Sequence, residues 1–351
     1  MGPWPVPYRT REAIGVRRAL GANQQDLARA AGVSVSTVSR ALSNSPGISA
    51  EVRAQIFDLA EEMGYRQRGG AKARRQVRAY VTSHVMSGGL VSFYSAVVAG
   101  MEAAAKIAGV DLDIRLVQQR QRLDAARLRR DNAEASVNGT LFVGLDATPD
   151  MEGLFDPERP LVLVNGIDPS MRHDSVTPNN FYGSLTATRL LLAAGHRHLL
   201  HIREQQRETT LQRQRGFFAA IAEVPGAKGE VLDILTDGDV AIERAAKFKK
   251  SGKARWTGVF GVHDNAAIRL MHALADAGVS IPRDVSIIGF DDLPAAAMTT
   301  PRLSTMRVDC AALGAQGVEL MLRRLADPTA PVLQLDCAVT LAPGSSITQF
   351  A

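Results

Sequence analysis

The chain has 351 residues, of which 46% are hydrophobic and 22% charged, with a net charge of +5. That profile fits a globular chain with a sizeable core and excludes a low-complexity or disordered one. Cys310 and Cys337 are its only cysteines and have no metal-ligand spacing, so two free thiols in a reducing compartment are expected. Met1 to Gly15 contains no apolar run, and no stretch approaches the ~18 apolar residues of a membrane span. Neither a secretory signal nor a membrane partner is therefore expected, and the expected location is the cytoplasm.

Charge is unevenly spread. Residues 1–80 hold 13 Lys/Arg against 6 Asp/Glu, a net +7, while the other 271 residues sum to −2. A basic head on a near-neutral body is the footprint of a nucleic-acid binder. An acidic lipid surface would also attract such a head. It would require an amphipathic helix with large apolar groups on one face, which residues 1–80 lack outside their apparent core.

The first periodic segment follows Asn23, a candidate cap, with Asp26 in the first turn and Leu27, Ala28 and Ala31 on one face. Gly32 ends it, since glycine tolerates the left-handed conformation of a helix stop. Ser34 caps a second helix over Val35–Leu42, with Val38 and Leu42 inward and Ser36, Thr37, Ser39 and Arg40 outward or flanking. Residues 43–47 form a turn-rich loop. Ser49 caps a third helix in which Val52, Ile56, Leu59 and Met63 repeat at helical spacing before Gly64. Two short helices joined at a glycine turn under a third helix are the helix-turn-helix arrangement. Arg40 is the best candidate base reader, because a guanidinium matches the O6/N7 edge of guanine. Periodicity alone leaves open a plain helical bundle with a solvated arginine.

Downstream, strand-like runs alternate with helical ones. Strands are expected at 78–82, 110–117, 141–143 and 161–164, with helices at 94–108 and near 123–135. A second series follows: helices at 182–194, 211–222, 240–250 and 265–277, and strands at 198–202, 230–235, 258–260 and 285–288. This alternation implies parallel sheets flanked by helices in two lobes, with ligands at the carboxyl ends of the strands. The expected fold class is therefore α/β with an N-terminal all-α head. His196, His198 and His201 form no metal site, because residues three apart on a strand point to opposite faces. No metal or cofactor is expected.

The run from Leu27 to Leu42, LARAAGVSVSTVSRAL, resembles the head of the lactose/galactose repressor (LacI/GalR) family, as does the exit from Ile48-Ser49 to Glu61-Glu62-Met63-Gly64-Tyr65-Arg66. Further matches are Gly195-His196-Arg197-His198, Arg213-Gln214-Arg215-Gly216-Phe217, Asp284 to Asp292 (DVSIIGFDD) and Thr300 to Arg307 (TPRLSTMR). The resemblance covers residues 23–345 and leaves 1–22 without counterpart, expected to be a disordered extension or an overlong start. It implies a helix-turn-helix DNA-binding domain at 23–65, a basic linker at 66–78 and a periplasmic-binding-protein-like effector and dimerisation domain at 79–351. It also implies a homodimer on a near-palindromic double-stranded operator, a repressor more readily than an activator, with affinity set by a small molecule between the lobes. A sugar is the first candidate effector; a non-sugar ligand, or none, is the alternative. By the same resemblance Val35, Ser36 and Arg40 read bases. Ser34, Thr37, Ser39, Asn44, Arg66 and Arg74 complete the DNA-binding set. Phe93, Tyr94, Arg213, His263, Asp264 and Asp291 would form the effector pocket.

The residues supply coherent chemistry for that pocket. A carboxylate and a guanidinium bind paired sugar hydroxyls through charge-assisted bonds, and an aromatic face stacks on a ring. The plain alternative makes Asp291-Asp292 a helix cap and Arg213 a surface ion pair. Three departures from the family stand out. The linker Gln67–Arg78 has no leucine for a minor-groove wedge, is about three residues short, and opens with Gly69-Gly70, which disfavours helix. It reads as a basic tether for phosphates or as a solvated linker. His263 stands where asparagine is usual, and Arg203-Glu204-Gln205-Gln206-Arg207-Glu208 replaces a glycine-rich rim, so a more polar pocket, or one closed to a standard sugar, is expected. An enzyme could use Asp264 or Asp291-Asp292 as hydrolytic carboxylates, but no nucleophile elbow, Walker loop or HExxH accompanies them. No catalytic residue is expected.

Overall fold

A computed structural model describes residues 24–42, 48–63, 75–82, 93–117, 128, 130–131, 134, 136–147, 159–204, 207–234 and 238–350. It divides into two units, residues 1–74 and 75–351. In the first unit α1 (Gln24–Ala31), α2 (Val35–Leu42) and α3 (Ala50–Glu62) enclose Leu27, Ala28, Val38, Ala41, Leu42, Ile56 and Ala60. Gly32, at φ +67°, turns the chain between α1 and α2, and the Val33 N–H returns to the Ala28 carbonyl at 3.0 Å. The expected cap Asn23, the loop 43–47 and the stop Gly64 lie outside the described residues.

The second unit contains two six-stranded sheets. The first joins β1 (Gln76–Thr82), β2 (Asp111–Val117), β3 (Val137–Val143), β4 (Leu161–Val164), β5 (Asp174–Pro178) and β11 (Gln334–Cys337) in the order β11-β5-β4-β3-β1-β2, and every pairing is parallel. The second joins β6 (His198–Arg203), β7 (Lys228–Asp233), β8 (Gly258–Gly261), β9 (Ser286–Asp291), β10 (Ser304–Arg307) and β12 (Thr340–Ala342) in the order β12-β10-β9-β8-β6-β7. Only the edge strand β12 is antiparallel. Inner strands such as β4 and β8 are buried at every position, as parallel strands covered on both faces must be.

Helices complete each lobe. α4 (Phe93–Ala108) and α10 (Cys310–Ala326) pack together, with α10 also covering β3–β5 of the first lobe. α5 (Asn180–Ala193), α6 (Glu208–Ala222), α7 (Asp239–Lys250), α8 (Asp264–Asp276) and the short α9 (Pro294–Met298) belong to the second. The chain thus crosses between lobes after β5, after β10 and between β11 and β12. The last two crossings and all elements beyond residue 291 went unrecognised in the sequence.

The body also begins earlier than expected. Gln76 to Arg78 pair in register with Asp111 to Asp113 on β2. Arg78 is 1% exposed, and its guanidinium donates to Asp113 and Glu134 at 2.8 Å and to the Asp131 carbonyl. This arginine therefore belongs to the first lobe and not to a DNA-contacting tether. Residues 66–74 of the expected linker lie outside the described residues.

The contact of α4 with α10 rests on two glycines. A Cβ on Gly100 would sit 2.1 Å from the Ala311 carbonyl oxygen, and one on Gly314 would sit 2.0 Å from that of Val97. Both atoms are helix backbone and cannot yield as a flexible side chain would. Gly314→Ala should therefore lower the stability of the body by at least the ~1–3 kcal/mol typical of overpacking, read by urea unfolding. A loss no larger than that of an exposed helix substitution would show that the helices can separate without cost.

Candidate functional sites

In the head, α2 divides into two faces. Ser34 caps it, its Oγ accepting the Thr37 N–H at 3.1 Å, and the Ser36 and Thr37 hydroxyls lie 2.7 and 2.8 Å from the same oxygen. Val38, Ala41 and Leu42 enter the core, while Ser34, Val35, Ser36, Ser39 and Arg40 are exposed and Thr37 is half-buried. An exposed valine among short hydroxyl side chains, with an arginine at the far end, makes a face that can approach DNA closely. Asn44, Arg66 and Arg74 lie outside the described residues.

In the body, the candidate site side chains gather at the carboxyl ends of both sheets. Arg213, on α6, is 5% exposed. Its Nε donates to Asn180 Oδ1 at 2.8 Å and its Nη1 to the Val262 carbonyl at 2.5 Å. Its Nη2 reaches Asp291 Oδ1 at 3.4 Å, and its Cζ lies 3.8 Å from the centre of the Phe290 ring. Asp291 ends β9 at φ +114°, and Asp292 follows at φ +56°. Such backbone is costly for non-glycine residues and concentrates at ligand sites. Burial lowers the proton affinity of Arg213 against the pull of Asp291. It raises that of Asp291 against Arg213 and His263. For each partner desolvation therefore outweighs the pairing, so the pair is a poor device for stability alone.

The first lobe supplies Phe93 and Tyr94 at the start of α4, their rings edge-to-face at 5.0 Å. Both are buried. Tyr94 Oη accepts from Asn165 Nδ2 at 2.7 Å and from Arg207 Nη1 at 3.0 Å. Arg207 comes from the second lobe, and it also donates to the Asn165 carbonyl at 2.5 Å and lies 3.6 Å from Asp146 Oδ1. The Glu208 N–H donates to Asp146 Oδ2 at 2.7 Å. This rim thus carries an arginine across the cleft. Arg207, Asp146, Asn165 and Asn180 were missed as site residues because their roles depend on contacts 33 to 113 residues away in sequence.

Two expected pocket residues are engaged elsewhere. Asp264 is fully buried. Its Oδ1 accepts from Thr305 Oγ1 at 2.5 Å and its Oδ2 from the Leu293 N–H at 2.7 Å, so it ties α8 to the segments flanking β9. Burial and the nearby Asp291 push its carboxyl well above the usual range, against those two hydrogen bonds. His263 caps α8, its Nδ1 accepting the Ala266 N–H at 3.1 Å, which leaves Nε2 to donate to Glu204 at 2.5 Å. Glu204 also meets Arg269 at 3.1 Å. Burial raises the Glu204 carboxyl, but His263 and Arg269 outweigh it and hold it at about 2.

Comparisons with known proteins agree with this architecture. Residues 24–67 match the profile for bacterial regulatory proteins of the lacI family, and residues 188–347 match the periplasmic binding protein-like domain. Over 309 residues the chain is 30% identical to the HTH-type transcriptional regulator GalS of Salmonella typhimurium, covering 85% of this chain and 88% of that one. The chain belongs to the LacI family. It is thus a DNA-binding transcriptional regulator, in which α1 and α2 form the helix-turn-helix and the two sheets the sensor-type body. It is also 27% identical over 311 residues to the transcriptional repressor PurR of Vibrio parahaemolyticus, covering 86% and 92% of the two chains. A structure of the lac repressor dimer bound to operator and an anti-inducer has the same fold, with a TM-score of 0.66 and 19% identity over 93% of this chain and 99% of that one. Among the described residues no helix is long and apolar enough to cross a membrane.

Behind Arg213 lies an aromatic stack that contains a histidine. His201 is fully buried, with ring centres 5.3 Å from Phe217 and 5.1 Å from Phe260, and Phe260 meets Phe290 edge-on at 6.5 Å. Burial pulls the imidazole down to about 4, against its hydrogen bond to the Phe260 carbonyl. The unfolded chain, titrating near 6.5, binds the proton more readily, so stability is complete above ~7, falls as pH drops through 6.5 and levels off below ~4. Between pH 7 and pH 5 the loss from this group should be about 2 kcal/mol. His201→Gln should flatten that part of the pH profile in urea unfolding, whatever its effect at pH 7. An unchanged slope would show that His201 does not titrate on unfolding.

Proposed function

We infer that the protein is a cytoplasmic repressor that binds a near-palindromic operator as a homodimer and changes its DNA affinity when a small polyhydroxylated molecule enters the cleft. The observation that carries the effector reading is the buried Arg213–Asp291 pair at the carboxyl ends of the second sheet, whose desolvation outweighs its attraction. A ligand hydroxyl donating to Asp291 would give that carboxylate a closer partner than its 3.4 Å contact with Arg213. Phe93 and Tyr94 form the opposite wall, and His263 borders the site through Glu204. Asp264 holds the scaffold beneath Asp291. The regulator reading requires no catalysis, and we assign none.

On DNA, Val35, Ser36 and Arg40 read base edges, while Ser34, Thr37 and Ser39 meet phosphates, with Asn44, Arg66 and Arg74 continuing that contact. A ligand acts by its differential affinity for two relative lobe positions. The Arg207 clasp favours a second reading of the same site, an effector other than a plain sugar, because a bare polyol would have to displace a guanidinium.

Arg40→Ala should cost ~1–3 kcal/mol on operator DNA and relax specificity at one base pair per half-site, with little change on scrambled DNA. Equal losses on both sequences would make Arg40 a phosphate contact. Arg213→Ala and Asp291→Asn should keep operator binding in gel shifts but lose effector response. Calorimetry with the best ligand from a sugar and nucleoside panel should show affinity reduced about ten- to a hundredfold for Arg213→Ala, from lost hydrogen bonds of roughly 1.5–3 kcal/mol. Wild-type affinity in both variants would remove the effector from this cleft.

A further inference from the structure

We propose that Arg207 is a built-in occupant of the cleft: its guanidinium fills a cation subsite on the first-lobe wall formed by Tyr94, Asp146 and Asn165, and the effector bears an amine, amidine or guanidino group that takes its place. The identification of that ligand as the effector rests on the cleft reading above; the subsite itself rests on geometry.

The wall turns acceptors toward Arg207. Tyr94 Oη already receives Asn165 Nδ2 and Arg207 Nη1, the Asn165 carbonyl receives Arg207 Nη2, and Asp146 Oδ1 faces the same nitrogen at 3.6 Å. Asn165 is 6% exposed, and its Oδ1 is buried without a partner among the described residues. Its backbone, at φ +51°, is held in a conformation that few non-glycine residues adopt. Arg207 itself is an imperfect tenant, because its Nε is likewise buried without a partner. Its charge also works against the neighbouring Arg213, though less than burial does.

Charge decides the ligand class. Taking Arg207 away leaves the Asp146 carboxylate, largely enclosed and held by the Ile167 and Glu208 N–H groups, without a cation beside the Tyr94 hydroxyl and the Asn165 carbonyl. A neutral hydroxyl supplies one donor and no compensating charge. A carboxylate or phosphate would set a second negative charge beside the first. An ammonium or guanidinium supplies several donors and the missing charge in one group. An amino-bearing polyol would then use both walls, its cation at Asp146 and its hydroxyls at Arg213 and Asp291.

The test is chemical rescue in the full-length protein. Arg207→Ala should melt about 5 °C below the wild type, on the scale expected for losing charged hydrogen bonds in a body of this size. Methylguanidinium at about 10 mM, far below denaturing concentration, should restore most of that loss in the variant and shift the wild type by less than ~1 °C. N-methylurea, the neutral isostere, should restore nothing, and adding Asp146→Asn to Arg207→Ala should abolish the rescue. If Arg207→Ala does not fold, Arg207→Gln is read the same way. No rescue of a folded variant, or equal rescue by N-methylurea, overturns the subsite. If that happens while Arg213→Ala still removes effector response, only the subsite falls. Rescue of melting with operator affinity untouched by methylguanidinium would keep the subsite and sink its link to DNA binding.

Discussion

The body depends on a chain that will not stay in one lobe. After β5 it leaves the first sheet, after β10 it returns through α10, and between β11 and β12 it leaves again. Three covalent crossings therefore join the lobes. They also make the first lobe a product of both ends of the sequence: α10 covers β3–β5, and β11 extends the sheet beside β5. The close approach at Gly100 and Gly314 therefore fastens residues more than 200 positions apart into one core.

That topology turns the carboxyl ends of two parallel sheets toward the same region, and the buried charges follow from it. Tyr94, Asp146 and Asn165 come from segments after β1, β3 and β4. Arg207, His263 and Asp291 come from the ends of β6, β8 and β9. A guanidinium withdrawn from water needs several partners at once. Arg213 finds them within its own lobe and Arg207 across the cleft. The first arginine is fastened inside the second lobe, and the second bridges the two lobes.

The head follows a simpler rule. A short helix that buries Val38, Ala41 and Leu42 has little choice about where Ser36, Ser39 and Arg40 point, because the helical repeat sets their angular positions. Its readable face is a consequence of its core. The cleft has no such local rule, since partners there are separated by up to 113 residues.

The sequence by itself determined the helices of the head, the Ser34 cap and the alternation that makes two parallel sheets. Each of these is written in neighbouring residues: helical spacing, a hydroxyl before an apolar run, or strand-like runs alternating with helical ones. Tertiary structure decided what those residues touch. It engaged Asp264 with Thr305 and the Leu293 amide, 41 and 29 residues away, through hydrogen bonds that no periodicity encodes. It also drew Arg78 out of an apparent basic tether into a buried position paired with Asp113 and Glu134. Arg207 read as one charge in a polar rim, and only the facing of two lobes gave it Tyr94, Asn165 and Asp146 as partners. A side chain's charge is local information, but the cost of burying it and the groups that offset that cost belong to the folded chain.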